Sequence, residues 1–390
     1  MRLQSHKFLG SIFVVTVGLA APSLLLNVVG LGALKAPVGQ LLLVVLALAF
    51  MSINRFKLPR KTILGATIVI ACGLFTALLY AAAGLTSSVA PILGASIKVA
   101  IFFVIASVAQ KKTEDASRAV VYAVLPILVL VLVANLIHNF LGQGELTRWV
   151  IDNRQISVLF GSFATSRIFV EGLTFFRVSG IFNEPGTFGM ILYCVFLLFV
   201  TSREFSTGKK FLLFTGIIST FSLGTFISMV VASLVNLRIK VVLQLFRKNF
   251  FTSLFWGSFV VLVGFFLIQA LSFVAARLSF GQGGRLIAGD NRFYDDTLPS
   301  NFLIGDGSYG GGFDSGLAIF QQFGLTGSAI LFAPVITVAC QLFWRGSFLY
   351  SFGLILFLAH KPNVLTPILI VLLAVTSAQI STNEQKIRDA

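Results

Sequence analysis

Long apolar runs, separated by short polar turns, cover most of the 390-residue chain. A helix needs about 20 consecutive apolar residues to cross a bilayer, and many of these runs approach or exceed that length. The pattern therefore predicts an all-α polytopic integral membrane protein. The predicted spans lie near residues 8–29, 37–53, 62–83, 94–110, 119–141, 186–201, 211–237, 250–273, 315–342, 347–359 and 364–380.

Basic residues cluster in four of the turns, and the positive-inside rule puts those turns in the cytoplasm. The run 211–237 has a basic turn on each side, so a single crossing there would leave one turn outside. We therefore predict a hairpin of two short helices that turns at "STFSLGTF" (219–226), where Ser and Gly permit a break. The chain then forms one membrane domain, 1–390, of about 12 crossings with both termini cytoplasmic. The four basic turns are 54–61, 110–118, 202–210 and 237–249.

Composition agrees with the membrane class and excludes others. Hydrophobic residues make up 57% of the chain and charged residues only 11%, although the formal net charge is +15. The basic residues are dispersed among topology-setting turns, so we predict no nucleic-acid partner. The three His residues lie far from one another and from Cys, and the three Cys residues lie inside apolar runs. We therefore predict no metal site, no disulfide and no cofactor.

The topology places two long loops, 142–185 and 274–314, on the same extracytoplasmic side. Together they contain seven Arg residues and no Lys. A guanidinium group binds phosphate or carboxylate through a planar fork of donors, whereas Lys acts as a point charge. An Arg-only surface beside the membrane therefore indicates an anionic substrate. The alternative is that these Arg residues pair with the nine acidic residues of the same loops.

The stretch "FFRVSGIFNEPGTFG" (175–189) ends the first of these loops and leads into an apolar run. Pro185 suits the first turn of a helix, which would put Glu184 at the positive end of the helix dipole. One hypothesis is that Glu184 simply caps the helix. The other is that Glu184 acts as a base or orienting acid beside a phosphate that Arg177 binds.

Lys98 lies just inside the predicted span 94–110. An ionisable residue within a span is a functional candidate by default. Because the predicted position is near the outer end of the span, the side chain could instead extend to the interface.

The pieces "RVSGIFNEPGTFG", "FSLGTF" and "LIGDGSYGGGFDSGLAIFQQFGLTG" (303–327) resemble bacterial O-antigen and exopolysaccharide polymerases of the Wzy type. The resemblance covers most of the chain in layout, but only these short pieces in residues. It implies a GT-C-like membrane glycosyltransferase of the bacterial inner membrane, acting on its periplasmic face without metal. The donor and acceptor would be oligosaccharide repeat units on undecaprenyl pyrophosphate. A chain-length regulator and a flippase are the partner proteins that it implies.

This resemblance gives roles to particular residues. Pyrophosphate is a leaving group whose charge must be neutralised, which Arg side chains do without metal. We assign this role to Arg177, Arg277, Arg285 and Arg292. Glu184 is the candidate that activates or orients the acceptor hydroxyl. Asp314 is a candidate for sugar contacts, with a helix N-cap as its structural alternative.

Two alternatives remain open. The related O-antigen ligases share this architecture and typically use a His in a large outer loop, but here His138 only borders such a loop. A transporter for an organic anion or a lipid-linked sugar is the other alternative. Transporters usually carry ionisable residues on broken helices near the midplane, whereas these charges lie in the outer loops.

Overall fold

The computed structural model describes residues 58–110, 113–151, 154–170, 173–182, 185–201, 301–307, 316–345, 350–355 and 366–388, with a few positions elsewhere. This part of the chain is mainly helical, as the apolar pattern predicts. The described helices are α1 (Arg60–Ala82), α2 (Thr86–Ala109), α3 (Thr113–Ala134), a π-helix (Asn135–Phe140), α4 (Pro185–Thr201), α5 (Gly316–Trp344) and α6 (Pro367–Arg388).

Four helical segments of the described chain are long and apolar enough to cross a membrane: Arg60–Ala82, Thr86–Ala109, Glu114–Phe140 and Ile319–Trp344. The shorter apolar helices Gly186–Phe199 and Ile368–Thr382 accompany them. The coarse prediction of a multi-spanning helical membrane protein agrees with this. The count of about 12 crossings remains a prediction. The predicted spans 8–29 and 250–273, and nearly all of 37–53 and 211–237, lie outside the described residues.

Helix α2 departs from its predicted bounds at one end. It begins at Thr86 rather than near 94, because the small polar residues around Pro91 continue the helix instead of forming a loop. Lys98 is therefore the thirteenth residue of a 24-residue helix and lies midway along it. The interpretation that placed it near the outer end of a span is wrong.

The first long loop contains a sheet that the apolar pattern does not predict. Strands β1 (Thr147–Ile151), β2 (Arg154–Leu159), β3 (Ser162–Val170) and β4 (Leu173–Gly180) form an antiparallel meander in the order β1-β2-β3-β4. The prediction of an all-α protein therefore needs this addition. Short strands with alternating side chains, such as "RQISVL", leave a weaker signal than a 20-residue apolar run.

One hydrophobic core joins the sheet to the helices. It contains Leu159, Ala164, Phe176 and Val178 from the strands, together with most of the buried residues of α3, α4 and α6. The middle of α4 and α6 is buried on every side, which is the pattern of helices in the centre of a bundle. The sheet is thus an integral part of the membrane domain.

The directions in which the helices run place the irregular segments at one end of the bundle. The opposite face is marked by contacts between helix ends, such as Ser117 with Gln379 and Thr382 with Gln110. The α1–α2 turn, the sheet and the segment 301–307 lie at the other ends of these helices, and Ser87 Oγ donates to Gly307 O at 2.9 Å. We call this side the sheet face.

Candidate functional site

The π-helix holds β4 in place through one side chain. Asn139 Nδ2 donates to Phe176 O at 2.8 Å, and Phe176 N donates to Asn139 Oδ1 at 2.6 Å. The Asn139 amide thus occupies the outer edge of β4 in the way that a further strand would. Asn135 Oδ1 accepts a second bond from Asn139 Nδ2 at 2.8 Å, which fixes the orientation of that amide.

Arg177 follows Phe176 directly and lies opposite an irregularity in β3. The register pairs Phe176 with Arg167 and Val178 with Ala164, so Thr165 and Ser166 both oppose Arg177. An extra residue of this kind is a β-bulge, which alters the direction of nearby side chains and is frequent beside active sites. Arg177 is half-buried, its Nε atom is fully buried, and it takes part in at least one polar or electrostatic interaction.

The depth of Gly180, the last residue of β4, follows from its contacts with two helices. A Cβ built on Gly180 would lie 3.3 Å from Val131 and 3.8 Å from Phe188. Val131 follows Arg118, the last charged residue of α3, by 13 residues. Phe188 precedes Thr201, the end of α4, by 13 residues. The nearest neighbour of the Cβ built on Gly180, Ile127 at 3.1 Å, follows Arg118 by nine residues. At 1.5 Å per residue, these contacts place Gly180 about 14–20 Å from the polar boundary of the opposite face.

The upper end of β4 lies near the other boundary. Asn139 follows Arg118 by 21 residues, which is about 30 Å of helix and close to the thickness of a hydrocarbon core. Since Asn139 pairs with Phe176, β4 descends from this level toward Gly180. Arg177 therefore lies near the membrane boundary on the sheet face.

Of the six residues assigned to substrate binding or catalysis, Arg177 is the one that the structure describes, and it lies on a strand rather than in an irregular loop. The position of Glu184 at the start of α4 stays a prediction. The site residues that lie outside the described part of the chain are Glu184, Arg277, Arg285, Arg292 and Asp314.

Arg148 shows the alternative behaviour of a loop arginine, pairing with a neighbouring acid. It is exposed and forms a salt bridge with Glu145, with a bond of 3.0 Å from Nε to Glu145 Oε1. For this residue, the hypothesis of simple charge pairing is the one that holds. Arg148 is consequently a useful reference for Arg177.

His138 uses both of its ring nitrogens within the chain. Nε2 must accept, because its partner is the backbone N–H of Phe160 at 3.0 Å. Nδ1 then carries the proton and faces the carbonyl oxygens of Gly144 at 2.8 Å and Gln143 at 3.1 Å. The buried imidazole thus connects the π-helix, the following loop and the β2–β3 turn.

A second irregular structure lies where the segment 301–307 meets α5. The helix is interrupted at Gly324, with φ 58° and ψ −165°, a conformation that is essentially restricted to glycine. A Cβ on Gly324 would lie 2.4 Å from Gly305 N, and a Cβ on Gly305 would lie 2.5 Å from Gly324 N. We call this contact the glycine joint.

Hydrogen bonds satisfy the backbone groups that the interruption frees. Tyr80 Oη donates to Phe323 O at 2.5 Å, from α1. Four backbone bonds of 2.8–3.1 Å join the two segments of the joint: Asp306 N to Gln321 O, Gly307 N to Gln322 O, Leu325 N to Phe302 O, and Thr326 N to Leu303 O.

Several of these structural residues were not predicted from the sequence. In the sequence, His138 was noted only as bordering a loop and Asn139 was not singled out, although the pair "HN" within "NLIHNF" was an available signal. Buried amides and imidazoles at the end of an apolar helix need partners, and irregular backbone nearby supplies them. Tyr80 gave no comparable signal, because its partner lies 243 residues away.

No protein-family model, curated protein or solved structure matches this chain. Within the described residues, no group of three or more His, Cys, Asp or Glu side chains could hold a metal ion. The site is therefore defined by its own geometry: a half-buried guanidinium on a bulged strand, at the membrane boundary, close to the start of a helix.

Proposed function

We propose that the protein is a metal-independent membrane glycosyltransferase that polymerises oligosaccharide repeat units linked to undecaprenyl pyrophosphate. The product would be an O-antigen, capsular polysaccharide or exopolysaccharide, made on the periplasmic face of the bacterial inner membrane. The sheet face would be the periplasmic one, which agrees with its Arg-only loops and with a cytoplasmic C-terminus.

The position of Arg177 is the observation that carries this proposal. A polyprenyl substrate keeps its tail in the hydrocarbon, so its pyrophosphate lies at the boundary of the membrane. Arg177 lies near that level and is half-buried. A partly desolvated guanidinium binds phosphate more strongly than an exposed one, because the surrounding dielectric is lower.

The reaction requires one nucleophile, one leaving group and one base. The acceptor hydroxyl oxygen attacks the anomeric carbon of the donor sugar, and the bond from that carbon to the pyrophosphate oxygen breaks. The pyrophosphate leaves with the electron pair and is stabilised by Arg177, with Arg277, Arg285 and Arg292 as further candidates. Glu184 would accept the hydroxyl proton, and Asp314 would contact sugar hydroxyls.

The test is an extension assay with purified protein in liposomes, given lipid-linked repeat units without nucleotide or metal. Glu184→Gln keeps the shape of the side chain but cannot take a proton, and losing a general base typically costs 10²–10⁴-fold in rate, as an order of magnitude. We expect ladders of products from the wild type and almost none from an equally abundant Glu184→Gln variant. Ladders of normal length from that variant would exclude Glu184 as the base.

Arg148 supplies the matched control for Arg177. Arg177→Lys keeps the charge but loses the fork, so we expect extension to fall nearly as far as in Arg177→Ala. Arg148→Lys changes an exposed residue of the same sheet and should leave extension unchanged. Failure of the wild type itself to extend the lipid-linked unit would contradict the polymerase proposal.

A transporter is the second candidate, and the interruption of α5 favours it, because transporters often bind substrates at broken helices. However, the N–H groups of Leu325 and Thr326 already donate to the carbonyls of Phe302 and Leu303. These N–H groups are therefore not available to bind a substrate while the glycine joint is formed. Uptake of a lipid-linked sugar into sealed vesicles, without product lengthening, would support the transporter.

The ligase alternative is weakened by the contacts of His138. A catalytic His needs a free nitrogen to take a proton, whereas both nitrogens of His138 face backbone groups at 2.8–3.1 Å. His138 therefore does not serve as the functional His of a ligase in this structure.

A further inference from the structure

The turn between β2 and β3 lies beside the apolar part of α3 rather than above it. Gly161, at φ +67°, is so close to α3 that a Cβ there would lie 2.9 Å from Leu130 Cδ2. Leu130 follows Arg118 by 12 residues, and His138, which binds the turn from above, follows it by 20. The turn thus lies between about 18 and 30 Å from the opposite boundary, within the thickness of a hydrocarbon core.

Non-helical backbone at this depth requires internal partners, because no water is present to bond its N–H and C=O groups. The turn has such a partner for its first N–H, since Phe160 N donates to His138 Nε2 at 3.0 Å. His138 is buried, with 3% of its surface exposed, so the acceptor side of this bond lies inside the protein.

The Phe160 side chain has no comparable cover. It is 51% exposed, and Leu130 of α3, which the neighbouring Gly161 approaches, is 39% exposed. Leu136, in the π-helix that continues α3, is also 39% exposed. The exposed apolar surface of a spanning helix therefore continues onto the tip of the hairpin. An exposed apolar surface of this kind is typical of a helix that faces lipid. The aromatic ring of Phe160 beside it suits the same lipid environment.

We propose that the β2–β3 turn is a lipid anchor, in which Phe160 inserts between the acyl chains of the leaflet on the sheet face. The partner is the bilayer itself. His138 makes the insertion possible by accepting the Phe160 N–H, and Gly161 lets the turn pack closely against Leu130. The anchor fixes the height of the sheet, and hence of Arg177, relative to the lipid headgroups.

The test measures the depth of position 160 directly and needs no glycan substrate. The three native Trp residues, Trp149, Trp256 and Trp344, are replaced by Phe, and Phe160→Trp is added. The protein is reconstituted in phosphatidylcholine liposomes that carry bromine either near the headgroup end or near the middle of the acyl chains. We expect blue-shifted emission, strong quenching by the bromine near the headgroup end, and little quenching by aqueous acrylamide.

Val150→Trp in the same background is the matched control. Val150 is 70% exposed and pairs with Gln155, five residues from Phe160 along β2. It therefore lies about 16 Å away, on β1 beside the other end of β2. We expect emission from position 150 to be quenched by acrylamide and not by brominated lipid.

Two results would overturn the anchor. Quenching of position 160 by acrylamide alone would place the turn in water. Quenching by neither agent would mean that protein covers Phe160, either another part of this chain or a second copy. Since the measurement involves no catalysis, an inactive polymerase would leave it unaffected.

His138→Ala tests the second half of the proposal in the same background. Loss of the acceptor leaves the N–H of residue 160 without its partner, so we expect the turn to move toward water. Emission should shift to the red and quenching by acrylamide should increase. An unchanged profile would contradict the role of His138.

Discussion

The sheet and the glycine joint meet the same physical requirement in different ways. Both contain irregular backbone beside membrane helices, where unpaired N–H and C=O groups are costly. At the sheet, the side chains of Asn139 and His138 bond the backbone of Phe176 and Phe160. At the glycine joint, Gly305 and Gly324 let two backbones approach until they bond each other.

The difference has consequences for what each region can do. At the sheet, the Asn139 amide bonds only Phe176 on the outer edge of β4, and the bulge of β3 lies opposite the next residue, Arg177. At the glycine joint, backbone-to-backbone contact leaves no room for a side chain, because the atoms that face each glycine are fixed main-chain atoms. We therefore interpret the sheet as the part that carries chemistry and the glycine joint as the part that fixes the second long loop to α1, α2 and α5.

Gly324→Ala should have the largest effect on stability. A Cβ would lie 2.4–2.6 Å from main-chain atoms of Leu303, Ile304 and Gly305, which cannot move aside singly. The backbone strain alone costs about 1–3 kcal/mol, and separation of the two segments adds to it. We expect a strongly lowered thermal unfolding temperature in detergent, or failure to accumulate in the membrane.

Gly84→Ala separates strain from contact. Gly84 also has a positive φ, +78°, but a Cβ added there would meet no atom within 4 Å. We expect Gly84→Ala to lower the free energy of unfolding only by the cost of the left-handed backbone conformation, about 1–2 kcal/mol. Equal losses in Gly84→Ala and Gly324→Ala would show that close approach is not what the joint requires.

Asn139→Ala should have the next largest effect, confined to the sheet. It leaves the buried N–H and C=O of Phe176 unpaired, and each such group costs about 1–3 kcal/mol. We expect faster hydrogen exchange in 173–180 and reduced glycan extension, while exchange in α5 and α6 stays slow. Asn139→Asp keeps the acceptor for Phe176 N but turns an oxygen, in place of the NH2 group, toward Phe176 O, so it should not rescue the loss seen in Asn139→Ala. An unchanged exchange rate in both variants would contradict the role of this amide.

Tyr80→Phe should have a smaller effect than either Gly324→Ala or Asn139→Ala. It removes one hydrogen bond, to Phe323 O, and retains the ring contact with Phe323 at 6.4 Å between centroids. The expected cost is about 1–3 kcal/mol or less, measured by the same unfolding temperature. A loss as large as that of Gly324→Ala would mean that the hydroxyl, rather than the two glycines, holds the joint together.

The helices were accessible from the sequence because their signal is local. The predicted spans 62–83, 186–201 and 315–342 differ by no more than two residues at either end from α1, α4 and α5. The contacts of the sheet and of the glycine joint could not be predicted from the sequence in the same way. Phe176 and Asn139 are 37 residues apart, and Tyr80 and Phe323 are 243 apart, so no periodicity connects them.

The candidate site was predictable only in part. Arg177 stood out in the sequence as a charge beside an apolar run. The structure adds the β-bulge opposite Arg177 and the depth of β4 in the membrane, which the neighbouring helices define. Neither follows from composition, because a bulge depends on the register of two strands. Lys98 illustrates the same limit, since its depth depends on where α2 begins.

The most direct test of the proposed architecture concerns the shared sheet face. In a variant without Cys72, Cys194 and Cys340, single cysteines replace Gln143 and Leu303, two exposed residues beside the sheet and within the joint segment. A third variant carries Asp115→Cys, an exposed residue at the start of α3 on the opposite face.

A membrane-impermeant maleimide is added to intact spheroplasts. We expect labelling of Gln143→Cys and Leu303→Cys, with Asp115→Cys labelled only after the membrane is opened. Labelling of Gln143→Cys and Leu303→Cys from different sides would contradict the shared face.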